Sequence, residues 1–435
     1  YCEEKGIDTN MRQAQRFRLA TGCEGVKRTT GQNPGGIIVI PREVDVHQFT
    51  PVQFPANNPT SEWKTTHFDY NDLHDNLLKL DILGHVDPTA IKLLEKVTGI
   101  DPKTIPMNDP KVISVFSDLS TLNIDSRNYS ESNGAVGLPE FGTSFVREIL
   151  KITRPQTFSD LVRISGLSHG TDVWLNNAKD LILNGYHLSD VIGCRDDIMV
   201  YLIHKGLKPK QAFDIMESVR KGKGLKPEWE ELMRNHGIDQ WYIDSCKRIK
   251  YMFPKAHAVA YVIMAVRVAW FKVYHPLAYY VSYFTLRCNA YDIDVMRKGS
   301  QAILARMTDI DKRMRDNSTK FQVTNKEKDL YSTLEVALEM TLRGYRFDNI
   351  DLKLSQADEF MIHPKDSRIL VPPFKVLDGL GENVARSIVE AREKCFFLSK
   401  EDLQIRTQIN GTQIRKMEIM GVLDDLQDEN QLSLF

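Results

Sequence analysis

From Ala258 to Phe271 every residue is apolar or aromatic except Arg267. A run of this length falls short of the roughly 20 residues that cross a bilayer, so protein must bury it on most sides. It predicts a central buried helix. The surrounding residues, 109 to 325, repeat apolar positions at spacings of three and four and place Pro209, Pro227 and Pro254 at the breaks, a mostly α pattern. With 435 residues there is chain for about three domains, each with its own core. A composition of 42% hydrophobic and 26% charged residues excludes collagen-like, disordered and membrane-embedded classes for the chain as a whole.

No internal repeat and no low-complexity tract stands out. Upstream of the helical block, Gly36 to Ile40 (GIIVI) and Asn76 to Leu83 (NLLKLDIL) read as strands, and the second runs into a helix with Asp87 as N-cap, Pro88 at N1 and Gly99 as C-cap. Downstream, a helical segment around Leu334 to Leu342 precedes a β-hairpin, Glu359 to Ile362 with Arg368 to Val371, turned by His363 to Asp366. Helices resume after Pro372 and Pro373, and Glu429 to Phe435 form an acidic, then apolar tail. The fold class is therefore α+β and multidomain.

The 57 Lys and Arg offset 58 Asp and Glu to a formal charge of −1, so any nucleic-acid surface has to be local. The six cysteines (Cys2, Cys23, Cys194, Cys246, Cys288, Cys395) include no CxxC pair, which fits neither a zinc ribbon nor a disulfide framework and suits a reducing cytosol. The chain opens at Tyr1 without a methionine, as the downstream piece of a longer polypeptide would.

Five places could carry chemistry. Asp81, in KLDILG, ends an apolar strand just before a helix, where a carboxylate should face a cleft because unpaired burial would cost several kcal/mol. Two-metal phosphoryl chemistry needs two or three carboxylates around ions about 4 Å apart, and Asp69, Asp72 and Asp75 join Asp81 only if the fold brings them in. The segment RKGKGLKPE carries Arg220, Lys221, Lys223 and Lys226 with two glycines, either a triphosphate or DNA-phosphate site or a solvated basic loop. In KRIKYMFPKAHAVAY, Lys255 and His257 fall near the N-terminus of the apolar helix, a place for an anion, while Tyr251 and Phe253 could equally be core. The third cluster, LDGLGENVARSIVEAR, sets a Gly379-Leu380-Gly381 turn before an apolar helical face, the build of a helix-hairpin-helix whose backbone N–H groups meet a DNA phosphate without reading the base. Lastly, Gln431-Leu432-Ser433-Leu434-Phe435 has the anchors of a docking peptide.

Taken together with GVKRTTGQNPGGIIVIP (25–41), GLPEFGTSFV (137–146), ISGLSHGTDVW (164–174) and IGCRDDIMVYLI (192–203), these stretches resemble the PolC-type alpha subunit of bacterial DNA polymerase III over essentially the whole chain. The resemblance implies a nucleotidyltransferase-type palm remnant, large helical fingers and a small C-terminal helix-hairpin-helix domain with the β-hairpin. In that scheme residues 1–24 end the thumb, 25–108 are palm, 109–325 fingers, 326–428 a duplex-binding region and 429–435 a clamp-binding tail. It further implies that Asp81 is the third metal-binding carboxylate of the palm, holding two Mg²⁺ ions with carboxylates that lie upstream of Tyr1. Arg195, Arg220, Lys221 and Lys223 become triphosphate contacts, and Tyr251, Lys255 and His257 line the incoming nucleotide. Gly379, Leu380 and Gly381 would hold duplex, and Gln431 to Phe435 would bind the sliding clamp. The implied partners are primer-template DNA, dNTP, the clamp and other replisome subunits, in the cytoplasm and with no membrane. Asn33 stands where the family's GQxPGG turn would carry His. The competing reading is a non-catalytic DNA- and clamp-binding module.

Overall fold

β-Structure in this chain is sparse and short, and its placement follows the apolar alternation. The computed structural model describes residues 12–26, 32–33, 35–315 and 323–430, and its contacts divide at 85/86 into two units. In the first unit, β1 (Gly36–Val39) and β4 (Leu78–Asp81) form an antiparallel ribbon in which Gly36 faces Asp81, Ile37 faces Leu80 and Val39 faces Leu78. A second ribbon joins β2 (Val52–Gln53) to β3 (Thr65–Thr66). Helix α1 (Gln13–Gly22) precedes both and buries none of its residues. Both strands read from sequence are present. The Asn33 carboxamide accepts the Gly35 N–H (3.3 Å) in the turn that leads into β1.

The second unit is helical around one core. It begins with α2 (Val86–Thr98), so Asp87 lies in the first helical turn and is not the N-cap expected of it. Its carboxylate is instead engaged by Arg287, a partner 200 residues away in sequence. Leu93 and Leu94 of α2 are buried, which is why residues 86–108, grouped with the palm by the sequence, pack in this unit. There follow α3 (Phe158–His169), α4 (Arg195–His204), α5 (Pro209–Arg220), α6 (Pro227–Asn235), α7 (Lys255–Tyr274), α8 (Pro276–Leu286) and α9 (Asn325–Leu342). Pro209 and Pro227 occupy N1 and Pro254 the N-cap, so the predicted breaks are helix starts, where a missing N–H costs nothing.

Helix α7 is longer than its apolar run, and at 20 residues its length and composition would suffice to cross a membrane, contrary to the length argument from sequence. Its environment differs: Ala258, Val262, Ala265, Val266, Ala269 and Phe271 are buried in the protein core. At its far end Lys272 is fully buried, and its ammonium donates to Gly134 O (2.8 Å), Val136 O (2.6 Å) and Glu339 Oε2 (2.8 Å). Glu339 Oε1 accepts from the Tyr280 hydroxyl at 2.9 Å. All three ammonium protons are used, as burial of a charge requires.

In the C-terminal region β5 (Arg346–Phe347), β6 (Met361–Ile362) and β7 (Ile369–Val371) form a sheet in the order β5-β7-β6. The expected hairpin is β6 with β7, pairing Met361 with Val371 and Ile362 with Leu370. The parallel strand β5 is an addition to it. Helices α10 (Glu382–Lys394), α11 (Lys400–Arg406) and α12 (Gly411–Ile419) close the region.

Candidate nucleotide and DNA-binding sites

The cationic segments read from sequence converge at the α4, α5 and α7 ends within the second unit. Arg195 opens α4, and its backbone N–H donates to Phe253 O at 3.2 Å, tying it to the segment before α7. Arg220 ends α5, and its carbonyl accepts from Met252 N at 3.3 Å. Between Arg220 and Lys223, an added Cβ at Gly222 would collide with the Lys250 carbonyl, so only glycine lets the two chains lie this close.

One carboxylate gathers three of the cations. Glu217 accepts from Arg220 Nε (2.5 Å) and Nη2 (2.9 Å), and lies 3.2 Å from Lys221 Nζ and 3.7 Å from Arg195 Nη1. Hydrogen bonding from Arg220 holds its carboxyl at about 2, so it is ionised throughout the physiological range. Lys255 is fixed separately: its backbone N–H donates to Asp196 Oδ2 (2.7 Å) and its ammonium to Asp197 Oδ1 (2.9 Å). Asp197 Oδ2 also accepts from the Cys194 N–H at 2.9 Å, which anchors the start of α4. Burial pushes the adjacent Cys194 thiol up to about 12, so it offers no thiolate here.

Aromatic rings form one wall. Tyr251, 44% exposed, stands edge-on to Phe253 with centroids 5.2 Å apart, and Phe253 stacks on His257 at 4.9 Å. Behind Phe253 lies His169, whose Nδ1 donates to Ser165 O (2.7 Å) and whose Nε2 donates to Glu140 Oε2 (2.7 Å). Both ring nitrogens face acceptors, and the Glu140 bond raises the imidazole's pKa, which favours the cation. Arg195, Arg220, Lys221, Tyr251, Lys255 and His257 are thus brought together. Lys223 sits two residues beyond Lys221, exposed and with no salt bridge among the described residues. Glu217, Asp197 and the Glu140–His169 pair were not singled out from sequence, and Phe253 was weighed there only as a core residue. Only Glu217 left a local signal, lying three and four residues before Arg220 and Lys221 on one helix face.

Asp81 belongs to the first unit. Its side chain is 57% exposed and 3.0 Å from Lys79 Nζ, so it is solvent-facing and outside apolar packing. The described residues contain no group of three His, Cys, Asp or Glu side chains able to hold a metal, and Asp69, Asp72 and Asp75 are not drawn into one. Among the described residues, the side chains around Asp81 therefore do not by themselves fit a pair of metal ions.

The hairpin turn has the expected glycines, with Gly379 at φ +84° and Gly381 as the α10 N-cap without a side-chain cap. The element before the turn is a single 3₁₀ turn, Phe374–Val376, where the sequence suggested a longer helix. Leu380 is buried, and its backbone N–H donates to Leu377 O at 2.9 Å. Helix α12 differs from α10, because Asn410 and Gln413 close its N-terminus as a capping box. Gln413 Nε2 also donates to Gly379 O (2.8 Å), and Lys326 and Lys416 both pair with Asp378 beside the turn. Gln431, Leu432, Ser433, Leu434 and Phe435 lie outside the described residues. The spacer before them is docked: Lys400 N donates to Gln427 O (2.8 Å) and Asn430 N to Glu401 Oε2 (3.1 Å).

Comparison with known proteins decides the family. Residues 2–84 match the bacterial DNA polymerase III alpha NTPase domain, 87–237 the finger domain of the same subunit, and 344–432 a helix-hairpin-helix motif. The chain is 58% identical over 427 residues to a DNA polymerase III PolC-type of Bacillus subtilis and 56% identical over 429 residues to that of Halalkalibacterium halodurans, each match covering 98% of this chain. The chain belongs to the PolC-type DNA polymerase III family. It spans 29% of the length of these two relatives, and 30% of a Streptococcus mutans PolC-type polymerase to which it is 53% identical. The NTPase-domain and finger-domain matches abut at the structural division between the units, and the cationic cluster draws Arg195, Glu217, Arg220 and Lys221 from the finger match.

Proposed function

We propose that the chain is the C-terminal portion of a replicative DNA-directed DNA polymerase, adding dNTPs to a primer 3′-hydroxyl by template-directed phosphoryl transfer in the cytoplasm. The observation that carries this reading is the cluster in which Arg195, Arg220, Lys221 and Lys255 surround a wall of Tyr251, Phe253 and His257. A triphosphate carries several negative charges and a flat base, and the cluster offers guanidinium and ammonium donors beside ring edges and faces. Three cations on Glu217 leave a positive surplus, so an incoming triphosphate meets donors already oriented by that carboxylate. Lys223 extends the same edge.

In this reading residues 1–24 finish a thumb, the rest of the first unit is the end of a nucleotidyltransferase-type palm, the helical unit up to residue 325 is the fingers, and the C-terminal region after it binds duplex through Gly379, Leu380 and Gly381. The uncapped N-terminus of α10, next to a capped α12, supports phosphate contact at the first turn only. Asp81 would donate an oxygen ligand to a Mg²⁺ pair whose other carboxylates lie outside these residues. Mg²⁺ would supply activation of the primer hydroxyl and charge stabilisation at phosphorus. The chain's own residues bind and orient the triphosphate. Gln431 to Phe435 would dock on the sliding clamp, turning rebinding to DNA into an intramolecular event.

Primer extension by a complete PolC-type polymerase carrying this chain tests the assignment. Arg220→Ala should raise the dNTP KM about tenfold or more, the loss of one charged hydrogen-bonding partner. Asp81→Asn should abolish turnover with little change in DNA affinity. Near-parental kinetics in either variant removes that residue from the site.

A further inference from the structure

The pentapeptide Lys-Gly-Leu-Lys-Pro occurs twice, at 205–209 and 223–227, a repeat far shorter than a domain. Both copies fold alike. Each glycine is left-handed, φ +94° at Gly206 and +72° at Gly224. Leu207 is buried and Leu225 packs against the core, while Lys208 and Lys226 are extended N-cap residues followed by proline at N1. With the leucine as anchor, all four lysines project into solvent. The second copy lies at the cationic cluster. The first lies at the opposite end of the 12-residue α5, about 18 Å away.

The surface between them is not plain. Lys210, Phe213, Glu217 and Arg220 follow one another at helical spacing along α5 and share a face. Phe213 is 44% exposed, with the Lys210 ammonium 5.6 Å from its ring centre. Lys205 lies over Tyr201 (5.5 Å) and Lys226 over Trp229 (4.7 Å), rings that themselves pack against the core. No acid interrupts residues 204–211, Lys205 and Lys208 carry no salt bridge among the described residues, and Lys210 makes an exposed i,i+4 pair with Asp214 at 2.9 Å. A duplex would meet the lysines but keep its base faces stacked away from an exposed phenyl ring. Unpaired strand presents both phosphate and base face.

We propose that the 205–210 tip and the outward face of α5 bind single-stranded DNA and lead an unpaired template toward the nucleotide cluster. The template role rests on the function proposed above; the binding itself does not. Fluorescence anisotropy of the intact chain with a short labelled oligothymidylate tests it. Replacing Lys205, Lys208 and Lys210 together by Gln should weaken binding about tenfold or more and reduce the slope of log affinity against log salt by about 2, near 0.7 per cation. Phe213→Ala should weaken it about fivefold or more, while affinity for a blunt duplex changes less than about twofold. Unchanged circular-dichroism melting confirms that both variants fold. Unchanged oligothymidylate affinity and salt slope would overturn the proposal, as would an equal proportional loss for duplex. The assay contains no nucleotide and no catalysis, so a parental dNTP KM in Arg220→Ala polymerase would refute the nucleotide site while leaving this surface standing.

Discussion

Glu217 shows how much a single residue organises in the proposed site. Its carboxylate orients Arg220, Lys221 and Arg195, and it stays ionised down to about 2 because Arg220 donates to both of its oxygens. A depressed folded pKa contributes stability above the ordinary value of 4.5, and that contribution is lost as pH falls toward about 2. Urea unfolding of Glu217→Gln should therefore trail the parent by a constant margin near neutrality, with the margin closing below about pH 4.5. A margin independent of pH from neutrality to acid would contradict the pairing. At this scale the sequence revealed the cations and Tyr251 because residue type alone marks them. It did not reveal the Glu140–His169 bond, whose partners are 29 residues apart and meet only through the fold.

At the scale of elements, the buried Lys272–Glu339 pair connects α7 to α9, and Tyr280 of α8 and the carbonyls of Gly134 and Val136 complete it. Burial draws the lysine down to about 8 while Glu339 pulls it back, so the ammonium stays mostly protonated at neutral pH. Removing one member strands the other in the core. Lys272→Met should cost about 3–5 kcal/mol in denaturant unfolding, and Lys272→Met with Glu339→Leu should recover most of that loss. Equal destabilisation by the single and double variants would show that packing volume, and not stranded charge, sets the cost. Among elements, helices were read more securely than strands. A helix declares itself through spacing and a proline start, as α5 and α6 do. The two-residue β5 has no periodicity to read and exists only because β7 offers it a hydrogen-bonding edge.

For the whole molecule, the proposed tether and catalysis are separable. Deleting Gln431 to Phe435 from a complete PolC-type polymerase should abolish binding to its clamp in surface plasmon resonance, yet leave extension on short templates within about twofold, because the tail acts through effective concentration. Equal clamp affinity after deletion removes the tail from that role. Sequence by itself determined the family through its ordered motifs, the helical character of residues 109–325, the buried run in α7 and the residue types of the cationic edge. Those properties are local, written in spacing and side-chain chemistry within a few turns of chain. Tertiary structure alone decided that Glu217 would gather cations from two helices, that Asp87 would answer Arg287, and that α2 would join the helical unit. Each depends on packing between residues distant in sequence, where burial and charge pairing choose among partners that local pattern leaves equivalent.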